Sequence, residues 1–284
     1  MIAVFVLVAT IIAFTVYFIK HPEIITTLQA VSLLTITKLF VLYCVFIATL
    51  VWIQRATLSL CELTLGRKES ALLVMYSSII NFFGPLQSGP GFRAAYLKKK
   101  HNVSLKKYTL ATLVYYGLYA LFSGLLLLSF FVGWWIGAVC ILALAATPIM
   151  LRLKKFKSLK LRGVLSLALA TLAQVVVLTV IYFVELYSLL PQVSYLQSLA
   201  YTGAANFALF VSLTPGAIGF RESFLLFSQK LHDIGVDTIA AASVIDRSIY
   251  IVFLLIMAAG IFGLHANDYF KTNRTESDKQ ESKA

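Results

Sequence analysis

Cysteine and histidine are scarce in this chain, and none of them is spaced as a metal site requires. The sequence has 3 cysteines and 4 histidines among 284 residues, and no two of them lie at the spacing of zinc ligands. The cysteines fall in or beside apolar runs and are predicted to be structural thiols. No nucleophile with a neighbouring base and no phosphate-binding glycine loop after a strand is present. We therefore expect no metal, no cofactor and no enzymatic activity.

Charged residues are also few, at 13% of the chain, whereas hydrophobic residues make up 60%. The mean hydropathy is +0.88, and several runs exceed the ~18–20 apolar residues that cross a bilayer as a helix. These values exclude a soluble domain and predict an all-α polytopic membrane protein with one transmembrane domain over residues 1–267. The candidate full spans, about six, are Ile2–Ile19, Val31–Ile53, Tyr108–Phe131, Val132–Leu151, Val164–Leu190 and Ile239–Leu264.

Acidic residues are half as numerous as basic ones, 12 against 24, which gives a net charge of +12. A nucleic-acid partner is not expected, because the basic residues lie in short loops beside hydrophobic runs. That pattern marks the cytoplasmic side of a membrane protein. With the N-terminus inside, most of the Lys and Arg residues become cytoplasmic, including the basic run from Arg152 to Arg162. The polar tail 268–284 is predicted to be cytoplasmic and disordered.

Two hydrophobic segments are broken by proline and glycine in the same order. The first contains Asn81-Phe82, Pro85 and Gly91-Phe92-Arg93; the second contains Asn206-Phe207, Pro215-Gly216 and Gly219-Phe220-Arg221. Paired broken segments in two halves of a membrane chain indicate a transport site. The alternative is that such similarity arises by chance in the small alphabet of membrane sequences.

The lengths of these segments favour re-entrant hairpins. Ala71–Pro85 would span about 22 Å as a helix, too little for a hydrocarbon core of about 30 Å. We predict that Ala71–Lys99 and Tyr195–Leu231 enter the membrane from opposite sides, within inverted repeat halves of about 1–131 and 132–264. The alternative is that Tyr195–Leu213 crosses fully, which would place the basic tail outside.

Arginine and acidic residues near the breaks are the candidates for function. Arg221 follows a break at which a new helix begins, and the positive end of that helix favours a bound anion such as a lipid phosphate. The alternative is a structural ion pair of Arg221 with Glu222 or Asp246. The substrate-binding candidates are Arg221, Arg93, Glu222, Asp246, Arg247, Thr214, Gly216 and Gly219.

Three further expectations concern charged residues within the spans. Asp246 and Arg247 lie inside the last span, where ionisable groups are costly and commonly functional, and Glu222 with Arg247 forms a plausible intramembrane pair. Arg93 is the first-repeat equivalent of Arg221, with snorkelling to the cytoplasmic surface as the alternative. Glu185 is expected near an outer span end, snorkelling to the surface.

The string from Thr214 to Glu222, TPGAIGFRE, followed by Asp246-Arg247, resembles the flippase-like transmembrane domain of lysylphosphatidylglycerol synthases and related membrane proteins. The usual pattern there is Pro-Gly-Gly-x-Gly-x-Arg-Glu, and Ala217 replaces the second glycine. The resemblance extends from about Val31 to Leu264 and implies lipid translocation. Tyr116 stands where the family often has an arginine. The soluble aminoacyl-transfer domain of the synthases is not in this sequence, so no lipid aminoacylation is expected.

The leading expectation is a flippase-like transporter of the bacterial or archaeal plasma membrane. Its substrate would be a lipid with an anionic headgroup, such as a polyprenyl-phosphate-linked sugar or a modified phospholipid. One alternative is a non-transporting accessory protein of a lipid-modifying or glycosyl-transferring enzyme. A weaker alternative is an intramembrane enzyme that acts on lipid phosphates.

Overall fold

The computed structural model of the protein describes residues 31–84, 88–129, 133–135, 161–210 and 220–281, together with Pro22, Val139 and Ala217; beyond residue 263 it describes the backbone alone. Over these ranges all the regular secondary structure is helical, with turns between the helices. The predicted span Ile2–Ile19 and most of the predicted span Val132–Leu151 lie outside them. The helices are α1 Leu33–Leu60, α2 Arg67–Phe83, α3 Ser88–His101, α4 Leu105–Leu127, α5 Leu161–Leu189, α6 Tyr195–Phe210, α7 Phe220–Phe227, α8 Gln229–His232 and α9 Val236–Glu281, with a short 3₁₀ turn at Gly133–Trp135.

Four described helices are long and apolar enough to cross a membrane: α1, α4, α5 and the Val236–Gly263 part of α9. These helices overlap four of the predicted spans. Their ends differ by a few residues from the predicted ends, in part because of capping at the helix termini. At the start of α1, for example, the Ser32 side chain accepts a hydrogen bond from the Thr35 backbone N–H at 3.1 Å, which satisfies a free donor of the first turn. Their outer faces expose large apolar side chains such as Val176 and Leu255, as a protein surrounded by lipid requires.

Both broken segments consist of two helices joined by a break. In the first, α2 ends at Phe83, with Gly84 as its C-cap, and α3 begins at Ser88. The second arm is therefore longer than the Phe92–Lys99 expected from the sequence, because Pro90 lies in the first turn of α3, where its missing N–H costs nothing. In the second segment, the chain becomes helical again at Phe220, as the sequence predicted.

A polar cluster ties α2 to α3 at the end of the first hairpin. Glu69 accepts hydrogen bonds from the Tyr96 hydroxyl at 2.6 Å and contacts His101 Nε2 at 2.8 Å and Lys100 Nζ at 2.9 Å. The bond from Tyr96, followed by those from His101 and Lys100, lowers the pKa of Glu69 to about 2. The carboxylate therefore stays ionised and joins the two arms at their charged end.

The four apolar helices and the two hairpins pack around a common centre. The α1–α5 contact is the most extensive one, and residues on both helices, including Leu39, Leu167 and Ile181, are fully buried. In the two hairpins, α6 lies against α4 and α5, and α2 lies against α1 and α9.

The backbones of α6 and α4 approach closely at Gly203 of α6. A Cβ atom there would lie 2.3 Å from the backbone nitrogen of Leu127 and 2.7 Å from the Ser123 carbonyl oxygen, both on α4. Small residues that let backbones touch are a common means of packing helices within membranes. Gly203 thus sets the separation of α4 and α6.

We expect Gly203→Ala to lower the melting temperature of the purified protein, because the backbone of α4 must move to accept the methyl group. The matched control is Gly117→Ala in α4, where an added Cβ meets nothing within 4 Å. That change should leave stability equal or slightly higher, since alanine favours helix over glycine by about 1 kcal/mol. Equal melting temperatures for the two variants would contradict the close contact.

The last helix continues beyond the membrane-length part to Glu281. The backbone of residues 268–281 is thus helical, which differs from the disorder expected for the charged tail. A physical reason is that extending an existing helix by one residue costs much less than nucleating a new one.

Candidate functional site

One cavity of about 240 Å³ lies between the two broken segments. Residues on either side of both breaks line it: Asn81 of α2, Gly89 and Pro90 of α3, Leu209 of α6, and Ala217. All four membrane-length helices also contribute. The charged and aromatic side chains of its wall are Arg93, Arg221, Arg247, Asp246, Tyr43, Tyr115, Tyr116, Tyr119, Tyr182, Tyr250, Phe46 and Phe82.

Arg221 is held in the cavity wall by an acid and an aromatic ring. Its Nη1 forms a salt bridge with Asp246 Oδ2, and the side chains are 6% and 13% exposed. The guanidinium carbon lies 4.9 Å from the centroid of the Tyr182 ring, which is a cation–π geometry. The structural pairing that the sequence left open is thus present, and it is made with Asp246.

Arg247 forms the second buried ion pair, as the sequence predicted. Its Nη2 donates to Glu222 Oε1 at 2.5 Å and to the Ala217 carbonyl at 3.3 Å. Ala217 has φ +58°, in the left-handed region that glycine occupies without strain and that costs other residues about 1–2 kcal/mol. The glycine that usually stands at this position in the resembling family is explained by this backbone conformation.

Arg93 differs from both, because no carboxylate lies within ion-pair distance of it in the described part of the chain. Its Nη1 donates to the Gln54 Oε1 atom at 3.0 Å, and its side chain lines the cavity. The side chain of Arg93 therefore contributes to the cavity wall, and its snorkelling to the cytoplasmic surface stays an alternative prediction. In the alignment of the two similar stretches, Tyr115 and Tyr116 of α4 occupy the positions of Asp246 and Arg247, so α4 lacks these two charges.

The cavity arginines retain hydrogen-bond donors without partners. Among the described residues, Arg93 Nε, Arg221 Nε and Nη2, and Arg247 Nε and Nη1 are buried and make no hydrogen bond. An unsatisfied buried donor costs about 1–3 kcal/mol, and more when it is charged. Five such donors on three guanidinium groups around one cavity favour an anionic ligand with several acceptor oxygens.

The sequence-predicted site residues divide into two groups. Four of them line the cavity: Arg93, Arg221, Asp246 and Arg247. Glu222 does not line it, but it forms an ion pair with Arg247. Thr214, Gly216 and Gly219 lie outside the described residues.

Glu185 lies near the end of α5, as expected, but the expectation that it snorkels to the surface is wrong. Its side chain is fully buried, and its Oε1 lies 3.4 Å from the hydroxyl of Tyr43. The same hydroxyl donates to Asp246 Oδ1 at 2.7 Å. Sequence reasoning also missed Gln54, Tyr43 and Tyr182. The signal available was a set of polar residues inside spans that were otherwise apolar.

These observations define an all-helical membrane protein with four helices long and apolar enough to cross a bilayer and a polar, arginine-lined cavity between them. The chain belongs to the family described as the lysylphosphatidylglycerol synthase TM region, whose model matches residues 1–260. No curated protein and no solved structure matches the chain. Family membership is consistent with a role connected with membrane lipids.

Proposed function

We propose that the protein is a transporter that moves a lipid with an anionic headgroup across the plasma membrane. The observation that carries the proposal is the convergence of Arg93, Arg221 and Arg247 on one cavity, with buried donors left free on each. Phosphate and phosphodiester oxygens are the acceptors that guanidinium groups bind best. The substrate class is a polyprenyl-phosphate-linked sugar or a modified phospholipid.

The size of the cavity supports binding of a headgroup. A volume of about 240 Å³ corresponds to about eight water molecules at ~30 Å³ each. That space fits a phosphate with a small substituent, and the hydrocarbon chains would remain in the bilayer. The exposed apolar faces of α1, α5 and α9 would contact those chains.

Within the cavity, Arg93 is the strongest candidate for direct contact with the headgroup. Arg221 and Arg247 each carry a carboxylate partner that offsets their charge, whereas Arg93 has the neutral amide of Gln54. An anion at Arg93 would therefore neutralise a positive charge that no described carboxylate compensates. Arg221 and Arg247 would add donors from the opposite break.

An inverted repeat explains how both breaks come to line one cavity. The helix contacts support this arrangement because they occur in equivalent pairs: α4 packs on α6 as α9 packs on α2, and α2 packs on α1 as α6 packs on α5. Two hairpins that enter from opposite sides would expose the cavity to either surface by moving against each other.

The opposite orientation of the hairpins predicts a labelling pattern. Lys99, near the end of α3, and Lys230, in α8, are both exposed. In a variant without the three native cysteines, Lys230→Cys should react with an impermeant thiol reagent added outside. Lys99→Cys should react only after the membrane is permeabilised. Labelling of both positions from the same side would contradict the inverted arrangement.

Reconstitution tests the transport proposal. The purified protein would be placed in liposomes that contain a headgroup-labelled phosphodiester lipid, a labelled polyprenyl-phosphate sugar, or a labelled cationic lipid without phosphate. We expect an anionic lipid to become accessible to a membrane-impermeant quencher faster than in empty liposomes, and the cationic lipid to stay protected. A wild-type protein that moves none of these lipids would instead support an accessory role beside a lipid-modifying or glycosyl-transferring enzyme.

A further inference from the structure

Glu185 is a buried acid beside the cavity, and the proposed binding of an anion gives this acid no role. Its side chain is 0% exposed, and its Oε2 has no hydrogen-bond partner within the described part of the chain. Its Oε1 faces the hydroxyl of Tyr43, which in turn contacts Asp246. We propose that Glu185, Tyr43 and Asp246 form a proton-binding site, and that proton binding there is linked through Arg221 to binding of the anionic headgroup.

The hydrogen-bond distances indicate where the proton lies. A tyrosine hydroxyl has one proton, and the shorter contact, 2.7 Å, assigns it to Asp246 Oδ1. The 3.4 Å contact between the Tyr43 oxygen and Glu185 Oε1 is long for an O–H···O hydrogen bond, so Tyr43 leaves the Glu185 carboxyl without a close donor. In the protonated site, Glu185 donates to Tyr43 and Tyr43 donates to Asp246, so that one proton chain joins two acids.

The surroundings of Glu185 also favour its neutral form. The titratable and charged groups that face it are Tyr43 on α1, Asp246 on α9, Arg221 on α7, Tyr201 on α6 and Tyr182 on its own helix. Arg221 is the single cation among them, and it is bound to Asp246. A carboxylate without its own cation in a buried site is costly, and two carboxyl groups close together do not both ionise readily.

Arg221 connects the proton site to the anion site. It holds Asp246 with Nη1, while its free Nε and Nη2 are available to a ligand. A headgroup oxygen that binds this guanidinium competes with Asp246 for its charge. The weakened ion pair makes proton uptake from water by the Glu185–Asp246 pair more favourable: one O–H bond forms at a carboxylate oxygen, and nothing is oxidised or reduced. By reciprocity, protonation then strengthens headgroup binding.

The linkage rests on the proposed function, but the proton site can be tested without any lipid. Infrared spectra of the purified full-length protein should show the carbonyl stretch of a protonated carboxylic acid, and this band should weaken as the pH is raised through the neutral range. Glu185→Gln should remove that band, whereas Glu62→Gln, at an exposed position, should leave it. If Glu185→Gln does not fold, Tyr43→Phe serves instead and should shift the band. A wild-type protein without the band would overturn the proposal.

Lipid affinity tests the linkage. The probe is a short-chain phosphatidylglycerol in detergent micelles, because its phosphodiester keeps one charge from mildly acidic to mildly alkaline pH. Wild-type affinity should fall as pH rises, by up to about tenfold per pH unit for one linked proton. Glu185→Gln should bind with little dependence on pH. Equal pH slopes in both proteins would overturn the linkage. An infrared band without lipid binding at any pH would reject the linkage and the transport function while the proton site remains.

Discussion

Arg93→Ala is expected to abolish translocation of an anionic lipid while leaving the protein folded. Its guanidinium lines the cavity and is hydrogen-bonded to Gln54, with no carboxylate among the described residues to hold it. Loss of a buried contact between a charged group and its ligand costs about 2–5 kcal/mol, which corresponds to a rate at least about 30-fold lower. The measurement is exposure of a labelled anionic lipid in liposomes.

Two variants make this result specific. Arg93→Lys should keep part of the activity, because an ammonium group supplies the charge but not the planar pair of donors. Arg55→Ala removes an exposed arginine next to Gln54 in sequence and should move lipid at the wild-type rate. A stable Arg93→Ala protein with wild-type translocation would reject Arg93 as the headgroup contact.

Asp246→Asn is expected to cause the largest loss of stability. Asparagine keeps the shape but removes the negative charge, so that Arg221, 6% exposed, remains as an unpaired buried cation. Breaking a buried ion pair from one side costs about 3–5 kcal/mol. The melting temperature in detergent should fall sharply, with lower abundance in membranes.

A double substitution separates the ion pair from other effects. Asp246→Asn combined with Arg221→Gln removes both charges and should recover part of the lost stability. Glu62→Gln is the control at a solvated contact, since Glu62 and Lys107 are each 61% exposed and 3.4 Å apart; its melting temperature should not change. A single Asp246→Asn variant as stable as the wild type would show that Arg221 does not depend on this carboxylate.

The repeat pattern singled out two arginines that line the cavity, Arg93 and Arg221, but it did not predict their contacts. Arg93 and Arg221 occupy equivalent places after the breaks, and the sequence treated them as equivalent apart from surface snorkelling. In the structure, Arg221 contacts Asp246 and Tyr182, whereas Arg93 contacts Gln54. The difference comes from the helix that follows each hairpin. Tyr115 and Tyr116 of α4 stand at the positions where α9 has Asp246 and Arg247.

The local sequence pattern also could not predict which charged residues form ion pairs with each other. Arg221 with Asp246 and Glu222 with Arg247 are both separated by 25 residues. The other two pairings of opposite charge, Arg221 with Glu222 and Asp246 with Arg247, would join adjacent residues of one helix. Adjacent side chains on a helix point about 100° apart, so the contact between α7 and α9 selects the pairs between the two helices.

The sequence by itself determined that the protein belongs in a membrane, where the four described spans lie, and where the two broken segments are interrupted. These features depend on short-range properties: apolar runs long enough for a bilayer, and proline and glycine that interrupt them. Only the tertiary structure decided that the breaks and the arginines share one cavity and that Glu185 is buried beside Tyr43 and Asp246. How deeply these side chains are buried, and which residues they contact, depends on the packing of α1, α5, α7 and α9. This packing brings together residues up to 203 positions apart, and no local pattern in the chain encodes such contacts.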